Sequence, residues 1–241
     1  MNEPVPSLDQ IRQIKISDQV ASYIVQLIAD GQLAPGDDLP SESELARRFG
    51  VGRPAVREAT NALAGRGLIA ITSGRGPKVL PLTKGSFADL FTHGLATRQV
   101  SMIQVLDVRR GLEEVAAELA ALNRTEDEAA TLRDLADLMV EAHGDVSRFS
   151  PIDVLFHRTL AVATRNILLS SMLSGIADVA RESTRTGLAY ARTDAEWDVI
   201  LAVHRNTAAA VIAGDAAGAR RHMATHFDSA LGRLRRGPQT N

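Results

Sequence analysis

The chain has 241 residues, of which 45% are apolar and 23% charged, and its formal net charge is −2. That suits one large globular domain or two modest ones, and no overall positive charge announces a nucleic-acid partner. The absence of cysteine excludes disulfides and thiolate metal sites. No stretch nears the ~18 unbroken apolar residues of a membrane span, and Met1 to Gln13 lacks the apolar run of a signal peptide. The expectation is a soluble, cytoplasmic protein with no membrane partner. Aromatics make up only 4%, and Ala and Leu abound, which favours helix over sheet.

In chain order, residues 18–30 (DQVASYIVQLIAD) place Val20, Ile24, Leu27 and Ile28 on one helical stripe, closed by Gly31. APGDDLPSE comes next, with the composition of a turn. Ser41 and Glu44 form S-x-x-E, a capping box opening the short helix SELARRFG. Gly50-Val51-Gly52 interrupts it, and a second helix starts near Arg53-Pro54 and runs to about Ala64. Proline fits the first helical turn because its missing N–H would be unpaired there anyway. GLIAITSGRGPKVLPL then predicts a hairpin with its tip at residues 73–76, and residues 82–86 read as a linker.

From Phe87 onward no strand pattern is found. Helical periodicity covers roughly 87–97, 101–122, 126–143, 149–164, 166–187, 194–213 and 215–235. The expected fold is therefore mainly α: a winged helix-turn-helix over 1–83 and an all-helical bundle of about seven helices over 87–236.

Charge is informative only locally. Between Arg47 and Lys78 there are seven basic residues and one acid, Glu58, although the stretch 1–83 as a whole balances nine against nine. Such a cationic patch neutralises phosphates and releases counterions. Arg53 and Arg57, one turn apart at a helix start, suit a major groove, where arginine grips guanine O6 and N7. A charge run alone would more simply be a solvated face, but a compact helix-turn-helix carrying it favours DNA.

GQLAPGDDLPSESELARRFGVGRPAVREATNALAGRGLI, with the wing TSGRGPKV, closely resembles the signature of the GntR family of bacterial regulators. The remainder of the chain resembles the FadR subfamily, whose C-terminal part is the helical ligand-binding FCD domain. The resemblance implies DNA contacts from Arg53 and Arg57 and from Gly74 at the wing tip. It adds the backbone N–H of Gly52, with Glu42 and Arg47 as further candidates. Ser43 stands where some relatives place another base-reading arginine.

The sequence holds six histidines. Asp153 and His157 lie four apart on one helix face, and His204 and His226 fall on two later helices. Four such ligands pointing into one bundle suit zinc or another divalent ion that accepts imidazole. The resemblance to metal-binding FCD domains implies the same four positions; His222, one turn before His226, is the substitute for the last. Zinc, nickel and manganese all remain compatible. The resemblance also puts Arg109 against an effector, and Asn166 is a further effector candidate. Arg109 can equally pair with Glu113, and Asn166 can cap a helix. Together these features imply a homodimeric regulator, a repressor in the commonest case, that binds a palindromic operator in double-stranded DNA. A small organic acid beside the metal controls it. A metal-dependent hydrolase, or an architectural DNA-binding protein with a structural metal, are the alternatives; neither an HExxH motif nor a second carboxylate cluster supports the enzyme.

Overall fold

In the computed structural model, which describes residues 14–72, 76–82, 85–191 and 193–236, the chain divides into two units, Met1–Pro81 and Leu82–Asn241. The first unit holds α1 (Ile16–Ala29), α2 (Glu42–Phe49), α3 (Arg53–Gly65) and the hairpin β1 (Ile69–Ala70) and β2 (Lys78–Val79). α1 and α2 bury Val20, Ile24 and Leu45 against Val56 and Leu63 of α3, and Ile69 and Val79 close the same core. The hairpin register is Ile69 opposite Val79 and Ala70 opposite Lys78.

Two local findings differ from the sequence reading. The segment read as pure turn, APGDDLPSE, also supplies a third chain to the hairpin. Asp38 bridges Lys78, Leu39 N–H donates to Pro77 O at 2.6 Å, and Val79 N–H donates to Asp37 O at 2.9 Å. A Cβ on Gly76 would come within 2.5 Å of the Leu39 carbonyl oxygen, so glycine is what permits this approach. The second difference concerns the capping box at α2, which is only half formed. Ser41 Oγ accepts from Glu44 N–H at 3.2 Å, while the Glu44 carboxylate turns to Arg47 and Arg48 instead. Gly50, at φ 65°, ends α2 in the left-handed conformation that the Gly50-Val51-Gly52 break anticipated.

The second unit is a stack of helices: α4 (Gly85–Ala96), α5 (Met102–Asn123), α6 (Glu126–Glu141), α7 (Val146–Ala163), α8 (Ile167–Ala189), α9 (Asp194–Ala213) and α10 (Ala216–Arg236). Most of the starts have a visible chemical cause. Complete capping boxes open α5 (Ser101, Gln104) and α6 (Thr125, Glu128), and Thr193 caps α9. α7 begins three residues earlier than its periodicity suggested, because Asp145 accepts hydrogen bonds from Ser147 and Arg148 N–H and starts the helix ahead of Pro151.

α5 packs against α7, α8, α9 and α10. Its inward face carries Ala116, Ala117, Ala120 and Ala121, all fully buried, and these small side chains let the neighbouring helices approach closely. Phe149 and Phe156 of α7, Trp197 and Ile200 of α9, and Met223 and Phe227 of α10 fill the space around the last three, while Ala116 packs with Ala161, Leu169 and Leu173. One turn along from this apolar packing, α5 also buries Arg109 and Glu113. No described helix is long and apolar enough to cross a membrane.

Candidate functional site

In the first unit, Gly52 is the N-cap of α3, extended at ψ 146°, with no side chain covering the helix start. Gly52 carbonyl accepts from Ala55 N–H at 3.1 Å, and Pro54 has no N–H to offer, so the amides of Gly52 and Arg53 stand at the helix's positive end. Arg53 is exposed and has no ion-pair partner among the described residues. Arg57, one turn on, has a side chain 71% exposed, with Nη2 3.4 Å from Glu42 Oε2. Arg47 lies 2.8 Å and Arg48 3.0 Å from Glu44 Oε1; their hydrogen bonds hold the Glu44 carboxyl below its ordinary range.

These contacts revise the local charge count. Glu42 and Glu44, just before the cationic stretch, pair with Arg57, Arg47 and Arg48. Exposed pairs of this kind contribute little and exchange readily. Glu42, expected from sequence as a DNA contact, pairs here with Arg57, another of the expected contacts. Gly74 lies outside the described residues.

The second unit gathers Asp153, His157, His204 and His226 so that one ligating atom from each lies within 4.8 Å of the others. α7 supplies the first two from adjacent turns, and α9 and α10 one each. His222 is not part of this group. The imidazole centroid of His226 lies 4.6 Å from that of His204 and 5.0 Å from that of His157.

Hydrogen bonds define which nitrogens face inward. His204 Nδ1 sits 2.7 Å from the Ile200 carbonyl oxygen, which can only accept, so Nδ1 carries the proton when the ring is neutral. His204 Nε2 then presents a lone pair 3.0 Å from Asp153 Oδ1. His157 repeats the pattern: Nδ1 is 2.9 Å from Glu113 Oε2, and the buried Nε2 has no hydrogen-bond partner, 3.7 Å from the same Asp153 oxygen. Two imidazole lone pairs and a carboxylate oxygen thus converge. Acceptors brought together in a buried site repel unless a cation or a proton lies between them.

Titration behaviour agrees with a cation site. Burial alone would raise the Asp153 carboxyl, but the facing imidazoles of His157, His204 and His226 hold it well below the usual carboxylate range. Burial first, then the neighbouring His204 and His157, push His226 well below its ordinary value and keep it neutral. A metal ligand set needs an ionised carboxylate, as Asp153 is, and a neutral imidazole, as His226 is.

Behind His157, Glu113 also accepts from Arg109 Nε at 3.0 Å. Side-chain exposure is 7% for Arg109 and 2% for Glu113. Burial would raise the Glu113 carboxyl, yet His157 and Arg109 together lower it. Arg109 also stands 5.4 Å from the Phe227 ring centroid and lines a cavity of about 40 Å³ with the four cluster residues. Both sequence readings of Arg109 therefore have a contact behind them: it pairs with Glu113, and it faces the space beside the cluster. Asn166 does not line that space. Its Oδ1 accepts from Leu169 N–H at 3.1 Å and caps α8, the plainer of its two readings.

The residue that sequence reasoning undervalues is Glu113, which reads there only as a partner for Arg109, four residues away. A carboxylate on a helix that otherwise buries Leu106, Ala116, Ala117 and Ala120 is the available sign that it has a buried partner. Arg233, seven residues after His226 on α10, also lines the cavity and is buried.

Comparison with known proteins decides what this architecture belongs to. Residues 16–79 match the model described as bacterial regulatory proteins, gntR family, and residues 104–229 match the FCD domain. The chain belongs to the GntR family. The HTH-type transcriptional regulator LutR of Bacillus subtilis (strain 168) is 32% identical over 83% of this chain and 93% of its own. The Glc operon transcriptional activator of Escherichia coli (strain K12) is 32% identical over 68% of this chain and 66% of its own. Among solved structures, Streptococcus agalactiae GntR superposes with a TM-score of 0.68 at 26% identity, covering 90% of this chain and 99% of its own. This GntR protein is thus a transcriptional regulator rather than an enzyme, with a DNA-binding helix-turn-helix and a helical FCD domain of the effector-binding kind. The FCD match contains Arg109, Glu113 and all four cluster residues.

Proposed function

We propose that this GntR regulator acts as a homodimer on a palindromic operator in double-stranded DNA and represses transcription. In this reading a small carboxylate-bearing metabolite, bound beside a divalent metal in the FCD domain, releases the repression. Two copies of α3 would enter major grooves about 34 Å apart, one helical turn of DNA. Arg53 and Arg57 read base edges, Arg57 exchanging Glu42 for guanine, while Gly52 N–H and Arg47 meet phosphate and Gly74 follows the minor groove. The relative named as an activator makes positive control the second reading. Its place of action is the cytoplasm, where the operator is.

The observation that carries the sensor half is the convergence of His157 Nε2, His204 Nε2 and Asp153 Oδ1, with His157 Nε2 buried and lacking any hydrogen-bond partner. Asp153, His157, His204 and His226 would hold the ion, zinc in the first instance, with nickel or manganese also suited to three imidazoles and one carboxylate. When bound, a divalent ion supplies a Lewis-acidic charge that attracts an anionic ligand. Arg109 supplies a second positive group on the same cavity, and Glu113 and Ile200 orient His157 and His204 through their Nδ1 atoms. The cavity of about 40 Å³ holds only a few waters, so an organic acid entering it must displace the Leu106, Leu231 or Leu234 side chains. That demand for movement is how occupancy could favour one arrangement of the helices over another. The test is operator binding by the metal-assayed protein with and without a panel of small carboxylic acids. Ligand-dependent loss of operator affinity supports the reading; affinity indifferent to every acid, with full metal content, opposes it.

A further inference from the structure

A second cavity lies on the far side of His157, between α7 and α8 with α5 behind, and plays no part in the proposed metal and effector site. It encloses about 370 Å³, against about 40 Å³ beside the cluster. Pockets for small molecules begin at roughly 300 Å³, so this one is large enough without rearrangement.

Its lining is polar in a specific way. A serine within a helix ordinarily returns its hydroxyl to a carbonyl three or four residues back, as Ser170 does to Ile167 O at 3.1 Å. Ser171 is only 7% exposed, lines this cavity, and makes no such bond among the described residues. Ser174, one turn along, also lines it without one. Both hydroxyls line the cavity without a bond to a helix carbonyl among the described residues, so each can donate to and accept from an occupant. Arg158 of α7 stands at the rim, exposed, with no ion pair among the described residues. The one carboxylate in the wall, Glu113, is already shared between Arg109 and His157, so its charge does not repel an anion. Leu173 provides an apolar floor.

We propose that this cavity is a second ligand site, taking a small polyhydroxylated anion. Arg158 binds the carboxylate or phosphate group, and Ser171 and Ser174 hydrogen-bond the ligand's hydroxyls. The site is separate from the cluster but shares His157 as a common wall, so an occupant rests against the back of one proposed metal ligand.

The experiment is calorimetric titration of the full-length, metal-loaded protein with gluconate and with glycerol 3-phosphate, which separate the carboxylate and phosphate sources. Saturable binding of either is expected. R158Q should weaken it tenfold or more, the loss of a charge-assisted hydrogen bond, and S171V severalfold, while both variants keep wild-type metal stoichiometry and operator affinity. H226A removes a cluster residue that does not line this cavity; it should lose metal yet still bind the probe. Failure of both probes to bind at millimolar concentration overturns the proposal. So does binding that H226A abolishes and that R158Q and S171V leave intact, since the ligand then sits at the cluster. Metal retained in full by H226A tells against the metal centre alone and leaves the second site standing.

Discussion

The two units use the same pairing motif, an arginine and a glutamate four residues apart on one helix, with opposite consequences. Glu44 and Arg48 of α2 meet in solvent, with side chains 33% and 59% exposed. Arg109 and Glu113 of α5 meet inside a bundle, at 7% and 2%. In water the pair contributes under about 1 kcal/mol and its members are free to take other partners. A DNA-reading surface requires this, because its arginines must leave protein acids for bases and phosphates. In the interior, separation strands a charge, so the pair holds whatever it touches in one geometry. Glu113 touches His157. The recognition surface is exchangeable and the sensor is fixed, and burial alone makes the difference.

The contrast breaks most sharply at Glu113. Glu113→Ala leaves Arg109 buried without its carboxylate and should destabilise the protein by about 3–5 kcal/mol, read by urea denaturation with chelator present. A loss below about 1 kcal/mol would place the pair with the exposed ones. His157→Ala should remove most bound metal, measured by atomic emission after dialysis, and unchanged stoichiometry would disprove the four-residue centre. Glu113→Gln keeps the shape but weakens the hold on His157, and metal affinity should drop roughly 10–100-fold.

On the exchangeable side the effects are smaller. Arg57→Ala should cost about 1–3 kcal/mol of operator affinity while leaving the oligomeric state unchanged; tight specific binding by this variant would mean that another element reads the bases. Glu42→Gln should alter stability by less than about 1 kcal/mol. By freeing Arg57 it should strengthen binding to non-operator DNA and steepen the salt dependence by up to about one counterion. A salt slope identical to wild type would show that the Glu42 contact does not compete with DNA.

The fold and the cluster are legible in the sequence where local chemistry decides. Asn123-Arg124-Thr125 and Gly214-Asp215 mark breaks between helices, and each of the seven periodic stretches after Phe87 has its helix from α4 to α10. The Asp153–His157 spacing already puts both side chains on one face, and the fold brings in His204 and His226 from later helices. Pairings between distant segments are not legible. The bridge from Asp38 to Lys78 and the contact from Glu113 to His157, 44 residues apart, depend on how elements dock, which no spacing encodes. The Ser41–Glu44 motif shows the same limit at short range. Arg47 and Arg48 win the Glu44 carboxylate from the backbone amide it was expected to cap.

The glycine at position 76 has a consequence for how the N-terminal unit behaves as a machine. With only a hydrogen where other residues carry a carbon, the base of the wing lies flush against the segment that leads into α2. Tilting one therefore drags the other. An alanine there would wedge the two apart, and the damage would surface in the alignment of the reading head although nothing that touches DNA had changed.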